Sequence, residues 1–461
     1  MKKFILICGL FMCIDTGMFG QVVSNWGFNI HDGGNDPQII ADKMVERNFN
    51  CVRMDLWGND PNYLIKFRNA VAILKAKNIN TEAVVYTIFS NGQSRSQDCD
   101  ADLTEVEQTA YNLTKPQIDN TKDLMQDYEL QNEISLYPNI KVSGSTGQKA
   151  SDYDVPCARM QAAVLRGMSR AIDDVRKTSN LPLRIILGTT DRSFGFLSFM
   201  ELQGVIFDVV GYHIYPWEYH QPLDRDPWFG TGGPLGQLAK FNKPIHINEF
   251  NSGEIYSGTP GQAVSNYENQ AGQPVTEAGF RSLDKHLKEI VHQKVANVET
   301  VIYYELWDEK DKAIPENRFG LFYDNNFLKP KISLLLATCF AEGFLSPSEK
   351  DSLTKRGLGI CNSTSSNELE SPHIKSGNQD SNLKCFVSAN PASENVKLLI
   401  ATNDFKDLGY ELFNMIGKTL QKGKVENEET EIDIKSLWPS IYLLKISRGT
   451  IELNTLKIMK N

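Results

Sequence analysis

Two short stretches of this chain carry the residue types that acid–base and nucleophilic chemistry needs. Glu129-Leu130-Gln131-Asn132-Glu133 and His246-Ile247-Asn248-Glu249-Phe250 are each runs of strand character that reach a carboxylate. A β/α barrel gathers the C-terminal ends of its strands on one face. Cleavage of a glycosidic bond asks for two carboxyl groups facing each other across that bond. Glu133 is expected to protonate the departing oxygen and later to activate water, which needs a raised pKa of the kind an opposing carboxylate and partial burial supply. Glu249 is expected to attack the anomeric carbon in its ionised form, kept charged by neighbouring donors. Asn132 is placed to hold a sugar hydroxyl beside the scissile bond. Either glutamate alone reads as well as a salt-bridged or solvated surface group. Both at strand ends of one face favour a site.

For two strand ends to meet, the chain must build a barrel, and residues 22 to about 343 alternate strand-like and helix-like segments as one requires. Strands are predicted at Val22 to Ile30, Asn50 to Asp55, Thr81 to Tyr86, Leu124 to Leu130, Leu183 to Leu187, Val205 to Gly211, Pro244 to Asn248 and Val301 to Leu306. Helices are predicted around Pro37 to Arg47 and Tyr63 to Lys77. The clearest runs from Cys157 to Lys177, where Met160, Ala163, Val164, Met168 and Ile172 recur at the helical period. The interval 87 to 123 is long for a plain crossover and predicts a loop insertion. Eight strands close a (β/α)8 barrel.

The start, Met1-Lys2-Lys3 followed by the apolar run Phe4 to Met12, has the pattern of a signal peptide cleaved near Gln21, and is too short to span a membrane. Cys13 would invite a lipid anchor, but Phe11-Met12 are bulky where such a signal needs small residues. The remaining chain of about 440 residues exceeds what one core usually holds. Its formal charge of -9, with no basic cluster, argues against nucleic acid as a partner. Export permits disulfides, yet the spacing of Cys51, Cys99, Cys157, Cys339, Cys361 and Cys385 defines no pairing. Cys51, inside a strand, reads as a small buried hydrophobe. The seven histidines form no His-x-His or His-Glu-x-x-His spacing, so no metal and no cofactor is expected. There is no Gly-x-Ser-x-Gly elbow for a serine esterase.

Composition changes after Phe344. Residues 345–383 are rich in Ser, Asn, Gly, Lys and Glu and read as a flexible linker. From 384 to 461, Val396 to Ile400, Gly409 to Asn414 and Ile441 to Ile446 look like short strands of a small β-sandwich. Asn390-Pro391-Ala392, Tyr410-Glu411-Leu412-Phe413-Asn414 with Gly417-Lys418, then Ser440 to Ile446 and Lys457 together resemble the C-terminal sorting domain of the type IX secretion system. That resemblance implies the type IX machinery as a partner and a secreted or cell-surface location in a Bacteroidetes-type bacterium. A carbohydrate-binding module would need clustered aromatics, and this segment has only Trp438.

The barrel segment, residues 21–344 after a signal peptide at 1–20, resembles clan A of the retaining glycoside hydrolases. Glu129-x-x-Asn132-Glu133 matches the clan's Asn-Glu signature and Lys243 to Glu249 its nucleophile strand, with Ile134 where the clan often has Pro. The resemblance implies an acid/base after strand four and a nucleophile after strand seven. Arg53 fits the clan's arginine that donates to the nucleophile, and reads equally as a structural salt bridge. Phe207 to Pro216 resembles the strand-six segment of family 39, implying that His213 or Tyr215 donates into the site; a core histidine is the alternative. His31, ending strand one, has a similar place. Ile302 to Glu309 resembles the last strand, with Trp307 as the floor of the sugar subsite and Glu305 as sugar-binding or structural. Trp26, Trp57, Trp217 and Trp228 lie near strand ends or in following loops and would extend that platform, though each alone reads as packing. The expectation is a monomeric enzyme acting on a β-linked oligo- or polysaccharide. The competing reading is a non-catalytic glycan-binding barrel, which would have no need to keep both glutamates.

Overall fold

The computed structural model describes residues 23–460 apart from 32–35, 58–59, 88–98, 216–221, 252–276, 310, 313–318, 328, 359–383, 389–391, 393, 403, 415–417, 438–439 and 450. The expected signal segment and Trp217 lie outside the described residues. The chain divides into two compact units at residue 364.

In the first unit, eight parallel strands close a barrel in sequence order: β1 (Asn25–Ile30), β2 (Cys51–Trp57), β3 (Asn80–Tyr86), β4 (Asp127–Leu130), β5 (Arg184–Thr190), β6 (Val209–Ile214), β7 (Ile245–Phe250) and β8 (Val298–Tyr303). β8 pairs back onto β1. Around them lie α1 (Pro37–Glu46), α2 (Pro61–Ala76), α3 (Leu103–Thr121), α4 (Pro156–Ser179), α5 (Phe194–Leu202), α6 (Gly233–Leu238), α7 (Glu277–His292), α8 (Ile332–Phe340) and α9 (Pro347–Lys355). Local chemistry sets the helix starts. Asp36, Asp60 and Asp102 each accept from a backbone N–H of the first turn, and Pro37 and Pro61 take positions where no N–H is needed.

Several expectations shift. β6 and β8 begin later and earlier, respectively, than the apolar runs suggested. Val205 and Phe207 are buried in the turn before β6, where apolar burial looks the same in sequence as a strand. β4 starts at Asp127, because Leu124 still closes the end of α3 through its bond to Thr121 O. The 87–123 interval carries α3, a helix whose polar sequence with an internal Pro116 hides its period; residues 88–98 lie outside the described part. The expected linker also needs correcting at its start, which is α9. Ser346 and Glu349 form its capping box, Arg47 pairs with Glu349 at 2.7 Å, and Leu353 is buried. Cys99 and Cys157 form a disulfide, a pairing that spacing left open, while Cys51 is free and buried.

Barrel interiors are usually filled by branched apolar side chains, but this one is charged. At the N-terminal end of the strands, Arg184 bonds Asp127 (2.6 Å) and Glu299 (2.9 Å). Above them His246 Nδ1 lies 2.7 Å from Glu82, which also accepts from Asn248 Nδ2 at 2.5 Å. Arg53 continues the column, with Nε 4.0 Å from Glu82 and 2.6 Å from Glu129. Glycines make the room: a Cβ on Gly188 would lie 2.8 Å from Glu129 Oε1, and one on Gly211 3.1 Å from Asn248 Nδ2.

Among the described residues the second unit has seven strands, β9 (Lys384–Ser388), β10 (Asn395–Ala401), β11 (Leu408–Asn414), β12 (Thr419–Lys424), β13 (Glu429–Asp433), β14 (Ser440–Arg448) and β15 (Ile451–Lys460). They form antiparallel sheets of order β13-β10-β9 and β12-β11-β14-β15 around one core that includes Val396, Leu398, Leu412, Leu444 and Ile446.

Burial opposes a charge on His246, but Glu299, with Nε2 at an ion-pair distance of 3.7 Å, and Glu82 outweigh it and raise the imidazole to about 9. A folded pKa above the ordinary 6.5 gives stability that is full below about pH 6.5 and lost as pH rises through about 9. Thermal unfolding between pH 6 and 10 should therefore show a falling melting temperature. His246→Gln should lower stability at pH 6.5 by ~3 kcal/mol and make that slope shallower. An unchanged slope would contradict the assignment.

Candidate active site

The C-terminal strand ends bring together Arg53, Glu129, Asn132, Glu133, His213, Tyr215 and Glu249. Arg53, on β2 and 3 % exposed, is the centre. Its Nε donates to Glu129 (2.6 Å), Nη1 to Glu249 Oε1 (2.8 Å) and Asn29 Oδ1 (2.8 Å), and Nη2 to Asn132 Oδ1 (2.8 Å). The sequence left Arg53 open between a donor to Glu249 and a structural salt bridge; it makes both contacts. A single guanidinium can do so because its five N–H groups point in a fixed plane.

β4 ends abruptly. Gln131 (φ 59°) and Glu133 (φ 50°) both take the left-handed conformation, and a short 3-10 turn, Ile134–Leu136, follows. Two such residues two positions apart turn the chain so that Asn132 and Glu133 reach the centre, a conformation non-glycine residues keep only where surroundings enforce it. β7 delivers Glu249, 5 % exposed, with a register shift against β6 that pairs it with His213. Tyr215 Oη donates to Glu249 Oε2 at 2.7 Å. The Tyr215 ring is held by stacking on Phe319 and by the edge of Tyr304.

His213, 2 % exposed, stands between the two candidate reacting groups. Nδ1 is 3.2 Å from Glu133 Oε1 and 3.4 Å from Glu249 Oε2, and Nε2 is 3.6 Å from Glu129. Burial works against its charge, yet Glu249, Glu129 and Glu133 outweigh it and raise the imidazole to about 10. Burial also opposes the charge on Glu129, and Arg53 with His213 overcomes that and holds the carboxyl at about 2. One donor atom each from Glu133, His213 and Glu249 lies within 4.8 Å of the others.

The remaining sequence-derived candidates lie around this centre. His31 bridges Asp55 (3.3 Å) and Tyr304 Oη (3.1 Å) and is 3.7 Å from Glu305. Lys312 joins Glu305 (2.9 Å) and Glu309 (2.7 Å), and burial raises the Glu305 carboxyl to about 7 against the pull of Lys312. Trp57, 37 % exposed, stacks flat on Tyr86 with ring centroids 4.0 Å apart. Trp307 is half-buried past the end of β8, edge-on to Phe327. Trp26 is buried against Tyr303 and is core. Sequence reasoning missed Asn29, Glu129, Tyr86 and Tyr304 as members of the site. For Asn29 and Glu129 the signal was available, since each is a polar residue between two apolar or aromatic neighbours of its strand.

Among the described residues two groups have the donor set of a cation site, Glu133-His213-Glu249 and His31-Glu305-Glu309. Each already has a protein cation in place, Arg53 on Glu249 in the first and Lys312 between both glutamates in the second. A metal ion would have to sit beside a fixed positive charge, so the donors fit an ion poorly.

Residues 389–461 match the family described as the secretion system C-terminal sorting domain. The protein is therefore exported by the type IX route of Bacteroidetes-type bacteria to the cell surface or the medium. No curated protein matches the sequence. Among solved structures, the chain is similar to the GH53 catalytic domain of Ignisphaera aggregans, with 15% identity over 69% of this chain and 96% of that one, TM-score 0.46. It is similar to a family 1 β-glucosidase from Thermotoga maritima, with 12% identity over 71% of this chain and 100% of that one, TM-score 0.46. A chain from a study of two fungal β-1,4-galactanases gives 14% identity over 68% of this chain and 92% of that one, TM-score 0.43.

Arg53→Met would leave Glu129 and Glu249 buried without their counter-charge. We expect a loss of ~3–5 kcal/mol in stability, and Arg53→Lys should recover little of it, because one ammonium cannot make the same set of bonds. Urea denaturation measures both; an Arg53→Met protein as stable as the parent would show that the site is not held by this residue.

Proposed function

We propose that the barrel is a retaining glycoside hydrolase of the clan A type, close to family 39, with Glu249 as nucleophile and Glu133 as acid/base. The observation that carries the reading is the approach of Glu133 and Glu249 oxygens within 4.8 Å, with His213 Nδ1 against both. That approach is closer to the ~5–5.5 Å carboxyl separation of double displacement than to the ~6.5–9.5 Å that inversion uses to hold a water.

The residues divide the work. Arg53 and Tyr215 each donate to one oxygen of Glu249, which favours its ionised form and orients its lone pairs. Glu249 attacks the anomeric carbon as the bond to the leaving oxygen breaks, and Glu133 gives that oxygen its proton. Glu133, now ionised, takes a proton from water, whose oxygen attacks the same carbon and releases Glu249. Asn132, oriented by Arg53, is placed to bind the hydroxyl next to the reacting carbon. His213 holds the two carboxylates in register and shields their repulsion. Trp307, His31 and Trp57 are assigned to the sugar-binding rim, as is Trp217 beyond the described residues. Export and this aromatic rim suit a β-linked polysaccharide outside the cell. Residues 1–20 as export signal and 21–344 as the catalytic domain belong to the same proposal, as does action as a monomer.

Glu249→Gln should fold normally and lose nearly all turnover, since an amide cannot form the glycosyl ester. Glu133→Ala should retain more activity on aryl glycosides with good leaving groups than on natural linkages, and azide should restore part of its second step. Tyr215→Phe should lower kcat by roughly 10-fold through the lost donor to Glu249. Kinetics of the three variants on aryl glycosides and a polysaccharide panel decide the matter: near-normal rates in the two glutamate variants would refute the assignment, and a parent protein that binds glycans without cutting any would leave a binding barrel.

A further inference from the structure

Just past β5, the turn Asp191–Ser193 is tied to the reacting centre. The Asp191 N–H donates to the His213 carbonyl (3.4 Å), and Ser135, two residues after Glu133, bonds Thr190 at 3.1 Å. This turn carries Arg192, whose guanidinium carbon lies 4.3 Å from the centroid of the Trp228 ring. Trp228 follows β6 in the turn Pro227–Phe229, where Asp226 accepts from its backbone N–H, and it is 54 % exposed. Arg47, Arg53, Arg68, Arg166, Arg176 and Arg184 each pair with a carboxylate. Among the described residues Arg192 pairs with none, and its Nε is buried without a hydrogen-bond partner.

We propose that Arg192 and Trp228 form a sugar subsite for an anionic unit, so that the polysaccharide cut by this barrel bears carboxylate or sulfate groups. A guanidinium presents paired N–H donors that match a carboxylate or sulfate, and stacking on an indole holds it flat while reducing the hydration it must lose. The exposed indole offers apolar area to a sugar's C–H face. The chain as a whole carries a formal charge of -9 and repels a polyanion, so retention of one needs a local, specific cation. The turn's tie to His213, with the bond of the preceding Thr190 to Ser135, puts this cation at the rim of the C-terminal face rather than on a remote surface. The inference rests on the glycosidase reading, and its test reads binding alone, so either can fail while the other stands.

The test uses the full chain with Glu249→Gln, which removes turnover. Binding is measured by affinity electrophoresis and calorimetry on β-linked glucuronan, glucuronoxylan and a sulfated β-galactan, each beside its carboxyl-reduced or desulfated form. At least one charged polymer should bind roughly 10-fold or more tightly than its neutral form, and which one separates carboxylate from sulfate. Adding Arg192→Gln should erase that preference. Lys66→Gln, the same charge change on exposed α2, should leave it intact. Equal binding of charged and neutral forms, binding of neither, or a preference that survives Arg192→Gln would each overturn the proposal.

Discussion

One guanidinium holds the C-terminal strand ends of this barrel together. Arg53 is buried, and around it stand Glu129, Glu249, Asn132 and Asn29, each taking a hydrogen bond of 2.6–2.8 Å. Without it, Glu129 and Glu249 would be like charges crowded into a site screened from water, where repulsion is far stronger than in solution. A buried ion pair is weak evidence for stability gained over an apolar core, but removal of one partner is costly. The arrangement therefore makes more sense as positioning than as strengthening. Arg53 orients Glu249 directly and Asn132 through a second bond, so one side chain aligns groups from β4 and β7.

The same constraint runs down the barrel axis. Below Arg53, Glu82, His246 and Asn248 form a second polar layer, and Arg184, Asp127 and Glu299 a third. Gly188 and Gly211 leave the volume these groups fill. Such a core gives up apolar contact for a defined set of hydrogen bonds, a choice that fixes side-chain geometry and ties fold stability to pH. The disulfide Cys99–Cys157 fits a chain that ends its journey outside the cytoplasm, where thiols oxidise.

Much of the barrel was legible in the sequence because parallel strands and amphipathic helices carry period-specific apolar patterns, and the strand ends at Glu133 and Glu249 stood out as carboxylates closing such runs. Strand limits were less legible: Val205 and Phe207 are as apolar as β6 yet lie outside it, and α3 hides behind polar residues and Pro116. The column of inward polar residues was present as alternation, in Asn25-x-Gly27-x-Asn29, Asp127-x-Glu129-x-Gln131 and His246-x-Asn248, whereas strands buried on both faces usually read as unbroken apolar runs. What no single chain reveals is which of these meet. That Arg53 reaches four partners, or that His213 lies between two glutamates, depends on register and on the shift between β6 and β7. The composition of residues 345–383 concealed α9 because a short capped helix on a surface needs only one buried residue, Leu353, to be held.

The central claim is that Glu249 bonds to the sugar while Glu133 moves protons, and the stereochemistry of the product records it. Proton NMR during the first minutes of hydrolysis of a β-linked substrate, before mutarotation, identifies the anomer released. Double displacement by this pair predicts the β-anomer first. The α-anomer as first product would show that water attacks directly and would contradict the account.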